Sequence, residues 1–107
     1  MNNAETVVII VNWNGERFLK DCLGSVFAQG YINFNVILVD NGSTDGSIEF
    51  IKKNYSGVEI IPLDKNYGFA KANNIGMEAA LKDKTIEYIA LLNNDTKAEK
   101  NWLGELI

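Results

Sequence analysis

"VVIIVNWNG", residues 7–15, is the stretch that decides the fold. Its first five residues are all apolar and all β-branched, with no polar residue between them. A strand with one wet face alternates polar and apolar side chains. An unbroken apolar run is the mark of a strand covered on both faces, as in parallel sheets flanked by helices. Asn12-Trp13-Asn14-Gly15 ends the run. Beyond it Phe18, Leu19, Cys22, Leu23, Val26 and Phe27 recur at helical spacing until Gly30.

The same alternation repeats along the chain. Residues 36–39 form a second apolar strand that stops at Asp40-Asn41-Gly42-Ser43. Residues 45–54 read as a helix with Ile48 and Ile51 inward, and Ser43, Thr44 or Asp45 are its candidate caps. Residues 58–63 form a third strand, and Pro62 places it at a sheet edge. A longer amphipathic helix covers 68–82 and a fourth strand covers 85–92. Residues 98–107 open another helix, with Trp102, Leu103 and Leu106 on one face. The order β-α-β-α-β-α-β-α with short loops predicts an α/β fold, a Rossmann-like doubly wound and mainly parallel sheet with helices on both faces.

Composition narrows the chemistry. The 107 residues suit one small domain. A net charge of −4 disfavours a nucleic-acid surface, which needs clustered Lys and Arg. The absence of histidine removes Ser-His-Asp, Cys-His and His-metal sites together. Cys22 is the only cysteine, so an internal disulfide or a Cys-based zinc site is excluded, and its helical spacing makes it a core residue. No apolar run reaches the ~18 residues of a membrane span, and residues 1–6 lack the pattern of a signal peptide. A cytoplasmic location is the expectation.

Doubly wound sheets bind ligands outside the carboxyl ends of their strands. Three polar clusters occupy those ends: Asn12-Trp13-Asn14, Asp40-Asn41-Gly42-Ser43 and Asn93-Asn94-Asp95. Taken alone, the stretch around Asp40 favours an ordinary strand-to-helix turn, though Asp40 also sits where a carboxylate could accept hydrogen bonds from a base or ribose. Trp13 suits the core or a stacking platform. In "NYGFAKANNIG", residues 66–76, Gly68 would let backbone approach a ligand, and Asn73-Asn74 sets two amides inside a helix that disfavours them. Asp95 with its neighbouring amide oxygens is the type of donor set that Mg²⁺ or Mn²⁺ accepts once phosphate oxygens complete it. Neither GxGxxG nor GxxxxGK[ST] occurs. Phosphate charge would therefore fall to a metal, to Lys65 or Lys71, or to a helix N-terminus.

In this order the clusters resemble the family 2 glycosyltransferases of GT-A fold, and most of all their rhamnosyltransferase-like subgroup. The matching stretches are "VVIIVNWNG" (7–15), "VILVDNGSTDGS" (36–47), "NYGFAKANNIGMEAAL" (66–81) and "YIALLNNDT" (88–96). The resemblance implies a nucleotide-diphosphate-sugar donor (UDP- or dTDP-linked), a divalent cation (Mg²⁺ or Mn²⁺), and transfer of the sugar with inversion to a glycan or lipid-linked acceptor. By position it sets Val11 and Trp13 beside the nucleoside, and Asp40 and Asn41 at the base and ribose. Asn66, Gly68 and Asn73 match a segment that helps hold the donor. Asn93-Asn94-Asp95 matches the family's DxD-type motif, with Asn94 a donor contact and Asp95 the metal ligand. An amide replaces the motif's first carboxylate. The family's acceptor half and its acidic general base have no counterpart in these residues. The expectation is a donor-binding part of a larger transferase, at the inner face of a membrane, that turns over poorly alone and self-associates through apolar surface near the fourth strand and last helix. Two rivals are a non-catalytic nucleotide-binding or interaction module, and a flavodoxin-like receiver, for which only Asp64 offers support.

Overall fold

The computed structural model describes residues 5–30 and 33–106. Four strands, β1 (Thr6–Asn12), β2 (Phe34–Asp40), β3 (Glu59–Pro62) and β4 (Tyr88–Asn93), form one sheet in the order β3-β2-β1-β4. Every pairing is parallel. Four helices connect and flank them: α1 (Glu16–Phe27), α2 (Ser47–Asn54), α3 (Phe69–Leu81) and α4 (Trp102–Leu106).

The β-branched run of β1 is buried along its whole length, as its composition predicts. Its side chains divide by parity. Val8 and Ile10 pack with Leu19, Cys22, Leu23 and Val26 of α1, Ile51 of α2 and Leu103 of α4. Val7, Ile9 and Val11 pack with Ala72 and Ala80 of α3. The helices thus lie on both faces, with α3 alone on its side among the described residues. At Gly76 of α3 an added Cβ would come 2.8 Å from Ile9 Cγ2 and 3.0 Å from Val39 Cγ2. That glycine lets the helix backbone sit close on the sheet.

The chain steps outward from β1 through β2 to β3, then returns over the other face to β4 on the far side of β1. The reversal leaves a switch point between β1 and β4 at the carboxyl ends of the strands, where a crevice opens. Pro62 lies on edge strand β3 beside Asp40, so its missing N–H faces no ladder partner beyond β3.

The structure moves some expected boundaries and faces. The fourth strand begins at Tyr88, because Thr85 is held in a turn, its amide and hydroxyl both donating to Asp83 Oδ1. The second helix begins at Ser47 after Gly46, which has no side chain to cap it. Asp45 Oδ1 instead accepts the Ser47 amide at 3.0 Å, closing an Asx turn ahead of the helix. In α4 Leu103 is fully buried and Trp102 half-buried, but Leu106 is 60% exposed and not part of an inward face. Ile107 lies outside the described residues. The outer edge of β4 has no strand partner among them, and Tyr88 and Leu91 are exposed there. Among the described residues no helix is long and apolar enough to cross a membrane.

Cys22 is fully buried against β4, 3.7 Å from the Asn93 carbonyl. Burial first, and the nearby charge of Asp95 second, push its thiol up to about 11 from the ordinary 9.0. The folded chain therefore holds this proton where the unfolded chain releases it. Stability from this group is complete below pH 9.0 and is lost as the pH rises toward 11. Urea midpoints measured across that interval are expected to fall more steeply for the native sequence than for Cys22→Ala; equal slopes would show that this thiol is not the cause.

Candidate functional site

The strands end in register at the rim. Asn12 of β1 stands beside Asp40 of β2, and Val11 beside Asn93 of β4. The Asn12 side chain is fully buried. Its Nδ2 donates to Asp40 Oδ1 at 3.0 Å and to Ser43 Oγ at 3.3 Å. Its Oδ1 accepts from Asn94 Nδ2 at 2.8 Å. One amide thus ties together the ends of three strands. Gly15 follows from this: a Cβ there would collide with the Asn94 amide and lie 2.6 Å from Asn12 Oδ1.

A second layer of bonds staples the loop after β1 to the loop after β2. Asn14 adopts a left-handed backbone (φ 48°), which asparagine tolerates better than most residues. Its Oδ1 accepts the Thr44 and Asp45 amides at 2.7 and 3.2 Å, and its own amide donates to Ser43 Oγ at 2.8 Å. Asp45 Oδ2 accepts the Glu16 amide at 3.1 Å, and Glu16 Oε1 accepts the Gly46 amide at 3.1 Å. Partial burial pushes the Asp45 carboxyl up, but the Ser47 hydroxyl and the Glu16 and Ser47 amides outweigh it and hold the group below its ordinary range.

Asp40 belongs to this scaffold. It is 1% exposed, and Ser43 donates its hydroxyl to Oδ1 at 2.8 Å and its amide to Oδ2 at 2.9 Å. The carboxylate sits at the expected rim but faces inward, where these donors and Asn12 occupy it; it makes no wall of the crevice. Asn41 clamps the next loop. Its Oδ1 accepts the Tyr67 amide at 2.9 Å and its Nδ2 donates to the Gly68 carbonyl at 3.2 Å. Gly42 and Gly68 take positive φ, 79° and 90°, and a Cβ on Gly42 would meet Lys65 backbone at 2.6 Å.

What remains open is a crevice of about 320 Å³. Val11, Trp13 and Phe69 form its apolar walls. Asn41, Asn66, Asn93 and Asn94 supply amides, and Asp95 supplies the one formal charge of the lining among the described residues. Of the residues singled out in the sequence, Val11, Trp13, Asn41, Asn66, Asn94 and Asp95 meet here. Trp13 is 54% exposed and so is a wall and not core. Asp40, Gly68 and Asn73 do not line the crevice. Gly68 acts through backbone at its edge, and Asn73 is buried on α3, on the face that also buries Gly76. Phe69 and Asn93 are additions. Phe69 is 59% exposed although aromatic and helical, and its signal in the sequence is its place just after a glycine that must turn the chain.

The donor set suits a hard cation. Asp95 is exposed and flanked by amides whose oxygens Mg²⁺ or Mn²⁺ accepts. Among the described residues no group of three or more acidic or thiol side chains converges. A cation here would need oxygens from a ligand, and phosphate supplies them.

Residues 7–107 match the sequence pattern of glycosyl transferase family 2. The chain belongs to that family. It is 37% identical over 98 residues to an uncharacterized glycosyltransferase of Haemophilus influenzae, covering 89% of this chain and 38% of that one. It is 30% identical over 108 residues to the putative teichuronic acid biosynthesis glycosyltransferase TuaG of Bacillus subtilis, covering 96% and 41%. The crystal structure of S. aureus TarS 1-349 in complex with UDP-GlcNAc superposes with a TM-score of 0.80 at 26% identity, over 95% of this chain and 30% of that one. The all-parallel sheet and its helices are therefore the GT-A arrangement of TarS. This family 2 chain spans about a third of the length of such relatives.

Within the family 2 chain, Asn12→Ala removes the donor to Asp40 and the acceptor for Asn94 at once. A buried polar group left without its partner costs about 1–3 kcal/mol. Urea unfolding is expected to show a loss of at least that size, larger than for Asn14→Ala on the exposed outer staple. An Asn12→Ala chain as stable as the native one would show that the rim does not depend on this amide.

Proposed function

We propose that this chain is the donor-binding half of an inverting glycosyltransferase that uses a UDP- or dTDP-linked sugar and a divalent cation, Mg²⁺ or Mn²⁺. The observation that carries it is the crevice at the β1–β4 switch point, where an aromatic wall and a lone carboxylate face one ligand-sized space in a family 2 chain. Trp13, Phe69 and Val11 offer apolar surface to a base and ribose. The amides of Asn41, Asn66 and Asn94 offer donors and acceptors to their polar edges. Asp95, with Asn93 and Asn94 beside it, stands where a diphosphate and its cation would complete one another. A cation held there would neutralise charge growing on the leaving diphosphate.

Inverting transfer also needs a base to take the proton of the attacking acceptor hydroxyl. Among the described residues Asp95 is the only ionisable group lining the crevice, and Asp40 is buried and already accepts three hydrogen bonds. The base and the acceptor site are therefore assigned to other parts of a longer protein, in keeping with the span of the relatives. TarS with UDP-GlcNAc and the teichuronic acid name of TuaG support a nucleotide-sugar donor and a role in cell-surface polysaccharide synthesis. "NYGFAKANNIG" and "NNDT" support the rhamnosyltransferase-like subgroup. A lipid-linked or glycan acceptor at the cytoplasmic face of a membrane follows from the same role. Tyr88, Leu91 and Leu106, exposed at the open edge of β4, support self-association of the chain as it stands. Light scattering is expected to report a dimer or larger species, and a monomer at high concentration counts against it.

A non-catalytic nucleotide-binding or interaction module is the second reading, favoured by the lack of a candidate base and disfavoured by Asp95 at the rim. Titration with UDP- and dTDP-sugars, with and without Mn²⁺, separates donor binding from an interaction module, which should show none, when followed by tryptophan fluorescence with Trp13→Phe as control. The expected result is a saturable, Mn²⁺-strengthened change carried by Trp13. Asp95→Ala is expected to remove the Mn²⁺ dependence while leaving the unfolding free energy within about 0.5 kcal/mol, because the residue is exposed. No response to any nucleotide-sugar in either metal condition overturns the donor-binding assignment.

A further inference from the structure

The lining of the crevice holds one formal charge, and it is negative. A diphosphate ligand brings at least two more. Two cations adjoin lining residues along the chain, one at each end of a short stretch: Lys65 precedes Asn66, and Lys71 follows Phe69 by two residues. Both are exposed, and both turn to the same partner. Lys65 Nζ lies 5.2 Å and Lys71 Nζ 4.7 Å from the centroid of the Tyr67 ring, within cation–π range.

Tyr67 is itself held at both ends. Its amide donates to Asn41 Oδ1 at 2.9 Å, and its hydroxyl donates to the Asp64 carboxylate. The hydroxyl bond holds Asp64 below the usual carboxylate range and lifts the Tyr67 hydroxyl above its own. Lys71 also breaks a local rule. It occupies the first turn of α3, where the helix dipole disfavours a cation, and no acidic residue in that turn compensates. Departures from local preference without a local remedy concentrate at functional positions.

We propose that Tyr67 is a positioning residue that gathers Lys65 and Lys71 beside Asn66 and Phe69, so that their ammonium groups meet the diphosphate of the donor. The inference rests on the donor-binding function proposed above. The lysines supply mobile positive charge that the lining, with Asp95 as its charged group, lacks. The ring limits the wandering of both, and Lys65 also feels the charge of the Asp64 carboxylate that accepts the Tyr67 hydroxyl.

The test uses UDP and uridine as probes for the native chain, Tyr67→Leu, Tyr67→Phe and the double variant Lys65→Met/Lys71→Met, over a series of salt concentrations in Mn²⁺. Loss of the ring is expected to weaken UDP binding about two- to fivefold, the scale of exposed cation–π contacts. It is also expected to flatten the salt dependence of UDP binding and to leave uridine binding unchanged. Tyr67→Phe keeps the ring and should restore most of the affinity. The double lysine variant should lose at least as much, and adding Tyr67→Leu to it should cost nothing further. Equal loss for UDP and uridine, or unchanged UDP binding in Tyr67→Leu, overturns the proposal. A native chain that binds neither probe overturns the donor function itself, and this inference with it.

Discussion

The rim depends on the buried side chain of Asn12. Parallel strands place their ends side by side, but nothing in the backbone ladder orients the loops that leave them. Here the ladder ends at Asn12, and the side chain continues it. It donates toward β2 and accepts from the turn after β4. Burying an amide is costly unless each of its groups finds a partner, so the interaction constrains both sides at once. A shift of Asp40 or of Asn94 would strand a group in the interior.

That constraint explains why so few of the polar residues at the rim are free. Asp40, Ser43, Asn14, Asp45 and Glu16 hydrogen-bond one another across two loops, and Asn41 fastens a third. The result is a fixed frame around a crevice whose own lining is poor in charge. Support of this kind holds the crevice walls Trp13, Asn94 and Asp95 on a hydrogen-bonded frame. The buried Asp40 and the exposed Asp45 and Glu16 are engaged by the frame, whereas the exposed Asp95 lines the crevice. The field of Asp95 reaches inward far enough to add to the burial of the Cys22 thiol.

Much of this was legible in the residues. The unbroken run of β1 implied a two-sided sheet, and each helix revealed its spacing. Polar clusters at strand ends pointed to one rim, because parallel strands all carry their carboxyl ends the same way. What the sequence left open has a common origin. Asp40 and Asn73 have the chemistry of ligand contacts, but a carboxylate or amide says nothing of which way it faces. Ser43 and Asn12 turned Asp40 inward, and Asn73 lies on the packed face of α3. Phe69 escaped notice because an aromatic in a helix is usually core. Leu106 fits an apolar stripe by spacing, yet the structure offers no surface there to cover it.

The sequence alone determined the order of elements, their parallel arrangement and the end of the sheet that carries the polar residues. These follow from periodicity and from the handedness of short crossovers, which act over neighbouring residues. Tertiary structure alone decided which of those polar residues hold the frame and which face the crevice. That choice is made by hydrogen bonds between loops about thirty or more residues apart, such as those from Asn12 to Asp40 and from Asn94 to Asn12. No local pattern records the direction in which a side chain must point to satisfy a partner so distant in the chain.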